Sequence, residues 1–185
     1  TITCADRDLH SGMFGNAARN ALQVATDALS SLRTQDGGVA IAGFYDGVED
    51  LPPETKAQWQ RLPFDQEGFL SDVGLRIPAG EEAYSIMEQV WARPSCEIHG
   101  LIGGYTEDGF KTVIPAKAHA KVSFRLVAGQ DPTRIRDAFR DHVRSHVPDD
   151  CNVTFTSHGA SPALSLPLTS PYLAATRDAL SQEWG

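Results

Sequence analysis

The sequence predicts an α+β domain of ferredoxin-like order, β-α-β-β-α-β. Two helices would cover one face of a four-stranded antiparallel sheet, with a helical insertion after the first helix. Three observations carry this expectation. Residues 116–126 alternate strictly, with Ala116, Ala118, Ala120, Val122, Phe124 and Leu126 on one side and Lys117, His119, Lys121, Ser123 and Arg125 on the other. That is the pattern of a strand with one covered and one open face. Two segments carry apolar residues at helical spacing, and the element order satisfies the right-handed crossover rule twice.

In chain order, Thr1 to Leu9 reads as a short first strand. A helix follows Ser11-Gly12, with Asn16 as its cap and Ala18, Ala21, Leu22, Ala25, Ala28, Leu29 and Leu32 on one face. Gln35-Asp36-Gly37-Gly38 stops it. Residues 39–94 break the rhythm: an apolar run from Val39 to Tyr45, a Leu51-Pro52-Pro53 turn, then short helices near 54–61, 64–73 and 81–91. This stretch reads as an insertion without a core of its own. Cys96, Ile98, Gly100 and Ile102 then alternate with Glu97, His99 and Leu101, a second strand that ends at the Gly103-Gly104 turn. After the 116–126 strand, Asp131-Pro132 caps and opens a second long helix that ends before Pro148-Asp149. A last alternating strand spans Cys151 to Ser157. Pro162, Pro167 and Pro171 punctuate an extended link, and Tyr172 to Trp184 opens a new helix.

Composition narrows the class. The 185 residues are 41% apolar and 22% charged, with a net charge of −8. A chain this acidic, without a basic run, argues against nucleic acid or an anionic membrane as partner. No apolar stretch reaches membrane length and no signal peptide is visible, and a chain opening on Thr1 within a strand reads as an excised fragment. Cys4, Cys96 and Cys151 are odd in number and form no C-x-x-C pair, which encodes neither a disulfide framework nor a cysteine zinc site. Buried apolar thiols in a reducing cytoplasm fit best.

Several patterns invite a catalytic reading and lack its remaining parts. Glu81-Glu82 could serve as base and ligand in a metallohydrolase, but no H-x-D or H-E-x-x-H set accompanies them, so they read as acids at a helix start. His142 and His146 have i, i+4 spacing but lie among Ile135, Ala138, Phe139, Val143 and Val147. They read as hydrogen-bonded histidines at a helix–sheet seam. Asp46, Glu49 and Asp50 lack calcium-loop spacing. Ser11 has no nucleophile elbow, and Gly103-Gly104 reads as a turn. His10, between a strand and a helix, and Arg125, on the open face of the best strand, would be exposed and available, but on these residues alone each reads as a solvated surface residue.

Three stretches give these residues a context. Asp8-Leu9-His10-Ser11-Gly12-Met13-Phe14-Gly15 resembles the D-L-H-S-G-x-[YF]-G entry of carnosinase-like dipeptidases of the M20 metallopeptidase family. Gly103-Gly104-Tyr105-Thr106 with Lys111-Thr112-Val113-Ile114-Pro115-Ala116-Lys117-Ala118 resembles that family's G-G-Y-T…K-T-V-I-P-A-x-A segment. Phe124-Arg125-Leu126-Val127 with Gly129-Gln130-Asp131-Pro132 resembles its F-R-L-V-x-G-Q-D-P turn. Trp91-Ala92-Arg93-Pro94 also suits it. Asn16 stands where a second glycine is usual, and Glu107-Asp108 replace a more common Gly-Pro.

The resemblance implies the lid and dimerisation domain of a dipeptidase, over residues 1–166, with 167–185 starting the returning catalytic domain. That absent domain would carry two divalent metals, zinc or manganese, which activate water, and a glutamate base. This chain would hold no metal and be inactive alone. It would pair as a homodimer. His10 would contact the oxyanion across the dimer, Thr112 would hold substrate across the same surface, and Arg125 would clamp the C-terminal carboxylate of the dipeptide. Two rivals are a stand-alone ferredoxin-like dimerisation or binding module, and the lid of an M20 amidohydrolase acting on N-acyl amino acids.

Overall fold

The computed structural model describes residues 1–184. In chain order the elements are β1 (Ile2–Thr3), β2 (Leu9–His10), α1 (Ser11–Phe14), α2 (Ala21–Ser30), α3 (Pro53–Trp59), α4 (Gln66–Ser71), α5 (Ile86–Trp91), β3 (Ser95–Gly103), β4 (Val113–Ile114), β5 (Lys117–Arg125), α6 (Pro132–Ser145), β6 (Asn152–Val153) and α7 (Pro171–Trp184). Strands β3, β5, β1 and β6 form one sheet in that order, and every pairing in it is antiparallel. This is the ferredoxin-like order expected from the sequence. Strands β2 and β4 form a separate two-stranded clip.

The alternation of 116–126 survives folding. Ala116 and Ala118 are buried and Val122, Phe124 and Leu126 are half-buried, while Lys117, His119, Lys121, Ser123 and Arg125 are exposed; Ala120 departs from the pattern and is exposed. Two apolar clusters fill the helix side. Ile2, Ala21, Val24, Ala25, Ala28 and Ala118 form one beneath α2. Leu32, Val39, Ile41, Phe44, Cys96 and Ile135 form the other toward α6. Small alanines let α2 approach β5 closely, and bulky Phe44, fully buried, fills the wider end.

Several expectations need correction. The first long helix is capped by Asn20, whose side chain accepts from the Leu22 amide, not by Asn16. Asn16 takes a left-handed φ of 67° in the turn between α1 and α2. That conformation explains an asparagine where glycine is usual, since Asn tolerates it best among side-chain-bearing residues. The start of the insertion joins the main core, where Val39, Ile41 and Phe44 are buried. Buried Gln130 secures this junction, donating to the Phe44 carbonyl (2.6 Å) and accepting from the Val127 amide (2.9 Å). A side chain on Gly129, at φ 90°, would collide with the Gly47 carbonyl, which explains the glycine before Gln130. Beyond Phe44 the insertion helices are shorter than expected and gather around Trp59, Phe64, Phe69 and Trp91.

Strand β3 carries a bulge between Ile98 and Gly100. Cys96 and Ile98 therefore share the helix-side face with Phe124 and Val122. Gly100 and Ile102 are opposite Lys121 and His119, on the open face. The expected single face of four residues fails because one extra residue reverses the alternation. The first strand forms ladder pairs only over Ile2–Thr3, and the last only over Asn152–Val153 rather than 151–157. Helix α6 is as expected, with Asp131 accepting from the Thr133 amide at 2.8 Å and Pro132 at the first helical position.

Candidate functional site

The sequence around His10 folds locally for definite reasons. His10 caps α1, and its Nδ1 accepts the Gly12 amide proton at 2.9 Å. In the neutral ring an accepting Nδ1 leaves the proton on Nε2, so the exposed edge of the imidazole is a donor. The ring lies so close over Gly12 that a Cβ there would sit 2.8 Å from His10 Cε1. Glycine at 12 is thus a condition of this ring position.

The segment is then clipped to a distant one. Leu9 is paired with Ile114 and His10 with Val113. The Ser11 amide donates to the Thr112 carbonyl at 2.9 Å. Asp8 Oδ1 accepts the Ala116 amide at 2.8 Å, and the Cys4 amide donates to the Ala116 carbonyl at 2.8 Å. Two segments that share no periodicity in sequence therefore meet, with Val113 opposite His10 and Thr112 joined to Ser11, and both His10 and Thr112 are exposed. The sequence reading had named both residues but not the clip, nor Asp8 as its anchor. An acid directly before Leu9-His10 was the only signal available.

Arg125 lies elsewhere. It ends β5 opposite Ser95, is exposed on the open face, and enters no ion pair among the described residues. Strand β5 spans nine residues, so at about 3.4 Å per residue its ends are roughly 27 Å apart. The clip joins its Lys117 end, and Arg125 holds the other. Lys117, His119 and Lys121 share the open face with Arg125, a basic strip on an acidic chain that favours an anionic ligand there.

The remaining candidates are structural. Glu81 does not open a helix; Ser85 does, in a capping box with Glu88. Glu81 instead takes both Nε and Nη2 of Arg93 at 2.8 Å. The Arg93 guanidinium, 4.1 Å from the Tyr84 ring centre, also meets Asp50 at 3.5 Å. Burial alone would raise the Glu88 carboxyl, but hydrogen bonds from Lys56 and Ser85, with the Lys56 charge, outweigh it and hold the group below its usual range. His142 bonds Ser31 at the end of α2 (2.9 Å) and stacks on His146 at 4.4 Å. His142 therefore sits at a helix–helix seam and not at the expected helix–sheet seam, while His146 is exposed beside it. Burial first, then the Cys151 thiol, pushes Cys4 up to about 12, and burial pushes Cys96 up to about 11. Neither is a nucleophile at neutral pH. Among the described residues no three His, Cys, Asp or Glu side chains converge to hold a metal. No described helix is long and apolar enough to cross a membrane.

Comparison with known proteins agrees with this geometry. The family model for the M20 peptidase dimerisation domain matches residues 1–151. The Beta-Ala-His dipeptidase of Rattus norvegicus is 28% identical over 144 residues, which is 78% of this chain and 29% of that protein. The Cys-Gly metallodipeptidase DUG1 of Saccharomyces cerevisiae is 29% identical over 175 residues, 92% of this chain and 36% of that protein. Among solved structures, the M20 family metallo-carboxypeptidase Sso-CP2 from Sulfolobus solfataricus superposes with a TM-score of 0.82 at 27% identity, covering 98% of this chain and 47% of that one. Human carnosine dipeptidase 1 gives 0.66 at 30% identity, over 78% of this chain and 31% of that one. The chain thus spans less than half the length of each of these relatives. With the family model matching residues 1–151 and the fold shared with these solved structures, this chain belongs to the M20 peptidase dimerisation-domain family.

Proposed function

We propose that this chain is the lid and dimerisation domain of a metal-dependent dipeptidase, with residues 1–166 as the lid and 167–185 leading back into a catalytic domain. His10 donates its Nε2 proton to the oxyanion of the tetrahedral intermediate, Thr112 holds substrate beside it, and Arg125 clamps the free C-terminal carboxylate. Two divalent metals, zinc or manganese, and the general base would be supplied by the catalytic domain of the complete enzyme, a reading that the metallodipeptidase name of the yeast relative supports. The relatives' names, Beta-Ala-His and Cys-Gly dipeptidase, support a dipeptide substrate. Three free cysteines support a cytoplasmic location.

One observation carries the reading. The clip holds His10 and the segment that carries Thr112 at the Lys117 end of β5, and Arg125 ends that strand roughly 27 Å away. An extended dipeptide spans only about 7 Å. One subunit cannot therefore apply all three residues to one dipeptide, whereas two subunits about a twofold axis can, His10 and Thr112 serving the partner's site and Arg125 its own. Edge strand β3, with Ile98 and Ile102 exposed at 48% and 55%, offers a surface for that pairing.

The test mixes two variants of the full-length enzyme, His10→Ala and Arg125→Ala, each expected to lose about a hundredfold or more as a homodimer. In a mixed dimer the His10→Ala subunit keeps its own Arg125 and borrows the partner's His10. Random exchange makes half the dimers mixed, each with one working site in two, so activity recovers to roughly a quarter of wild type. No recovery after confirmed subunit exchange removes the shared site.

A second reading is favoured by the 98% coverage of the Sulfolobus neighbour, whose title names a metallo-carboxypeptidase. Such an enzyme would also read a terminal carboxylate, and efficient cleavage of tripeptides would distinguish it.

A further inference from the structure

Two of the three cysteines meet where β1 and β6 part. These strands pair antiparallel, with Ile2 opposite Val153 and Thr3 opposite Asn152. One step further in the same register sets Cys4 opposite Cys151. The Thr154 amide donates to the Thr1 carbonyl at 2.9 Å, which makes Thr1 and Thr154 a hydrogen-bonded pair. Hydrogen-bonded and non-hydrogen-bonded pairs alternate along such a ladder, so Thr3 and Asn152 are of the first kind and Cys4 and Cys151 of the second. The Cys4 amide accordingly turns the other way, to the Ala116 carbonyl at 2.8 Å.

That phase matters for sulfur chemistry. A non-hydrogen-bonded pair has its Cα atoms about 4.5 Å apart and its side chains close together on one face. A disulfide takes Cα separations of roughly 4.4–6.8 Å, so the backbone already has the spacing. The side chains agree. Cys4 and Val153 both pack on the cluster of Ile2, Val24 and Ala118, and Cys151, two residues before Val153, is directed to the same side. After burial, the Cys151 thiol is what raises the Cys4 thiol, through a hydrogen bond and then its charge. Cys96 is buried in the other cluster, with Leu32 and Phe44.

We infer that Cys4 and Cys151 form a reversible disulfide, closed by exchange with a small-molecule disulfide, which staples β1 to β6. Cys4 takes the first step. It is half-buried and lines an open cleft with Leu9, Arg19 and Asp150, whereas Cys151 is only 9% exposed. The inference does not depend on the dipeptidase reading.

The exchange runs in two steps. The Cys4 thiol loses its proton and attacks one sulfur of the small disulfide, which forms a mixed disulfide and releases one small thiol. The Cys151 thiol then loses its proton and attacks the Cys4 sulfur, expelling the second small thiol. The two cysteines give up two electrons and two protons, and the small disulfide takes up both. Burial leaves Cys4 little thiolate, so the first step is slow at neutral pH. The same burial denies the reduced Cys4 any stabilisation as thiolate, which favours the closed form once it is made.

The test incubates the folded full-length enzyme with oxidised glutathione at about pH 8.5, where thiolate is more plentiful, and maps its peptides without reduction. A peptide pair linked through Cys4 and Cys151 is expected, with Cys96 unlinked, and excess dithiothreitol should return both thiols. In Cys151→Ser the second step is blocked, so Cys4 should accumulate as its mixed disulfide with glutathione. In Cys4→Ser, Cys151 should stay unmodified. Because the register already fits the bond, the oxidised enzyme should melt no lower than the reduced one. No Cys4–Cys151 link, a link that forms only in urea, glutathione on Cys151 but not on Cys4, or a lowered melting temperature would overturn the pairing.

Discussion

The Gly12 amide and the His10 ring decide between them which nitrogen carries the proton, and the contact at 2.9 Å leaves Nε2 as the donor. If Arg125 binds a terminal carboxylate as proposed, its planar fork matches that group as the point charge of lysine does not. In the full-length enzyme Arg125→Lys is expected to cost about 1–3 kcal/mol in kcat/KM on dipeptides with a free C-terminus, and almost nothing on their C-terminal amides. Comparing the two substrate series checks this; equal losses would show that Arg125 does not read the carboxylate. The site was legible unevenly. Strand alternation alone put Arg125 on an open face, and a strand-to-helix turn exposed His10. Thr112 carried no physical signal, because a threonine in a loop is ordinary until the clip ties its carbonyl to Ser11, the residue after His10.

Among elements, β5 and α6 were readable because each is long enough for its period to repeat, and α6 carries Asp131 and Pro132 at its start. Strands β2 and β4 have two residues each, too few to show any period. The β3 bulge was invisible because alternation continues in the letters while the faces reverse in space. That reversal has a use: it turns Ile102 onto the open face of an edge strand, 55% exposed. If β3 is the pairing surface of the homodimer, Ile102→Lys should weaken association by at least about tenfold without lowering the melting temperature of the monomer. Sedimentation of the full-length variant across a dilution series reads this directly, and an unchanged dimer would place the interface elsewhere.

For the whole molecule, stability and pH are linked through His142. Burial and the charge of His146 lower it from the ordinary value of 6.5, against the hydrogen bond with Ser31. The unfolded chain therefore takes up a proton at a higher pH than the folded one. Stability from this group is full above about 6.5 and is lost as pH falls toward the lowered folded value. Melting curves from pH 8 to 5 should fall less steeply for His142→Gln, which can keep a bond to Ser31, than for wild type. The clip has a further consequence at this scale. Asp8 and Ala116, which anchor it, are 108 positions apart, so closing it depends on nearly every intervening element already being in place. A nascent or half-folded chain has no positioned His10 at all. The placing of His10 and the completion of the fold thereby become one event.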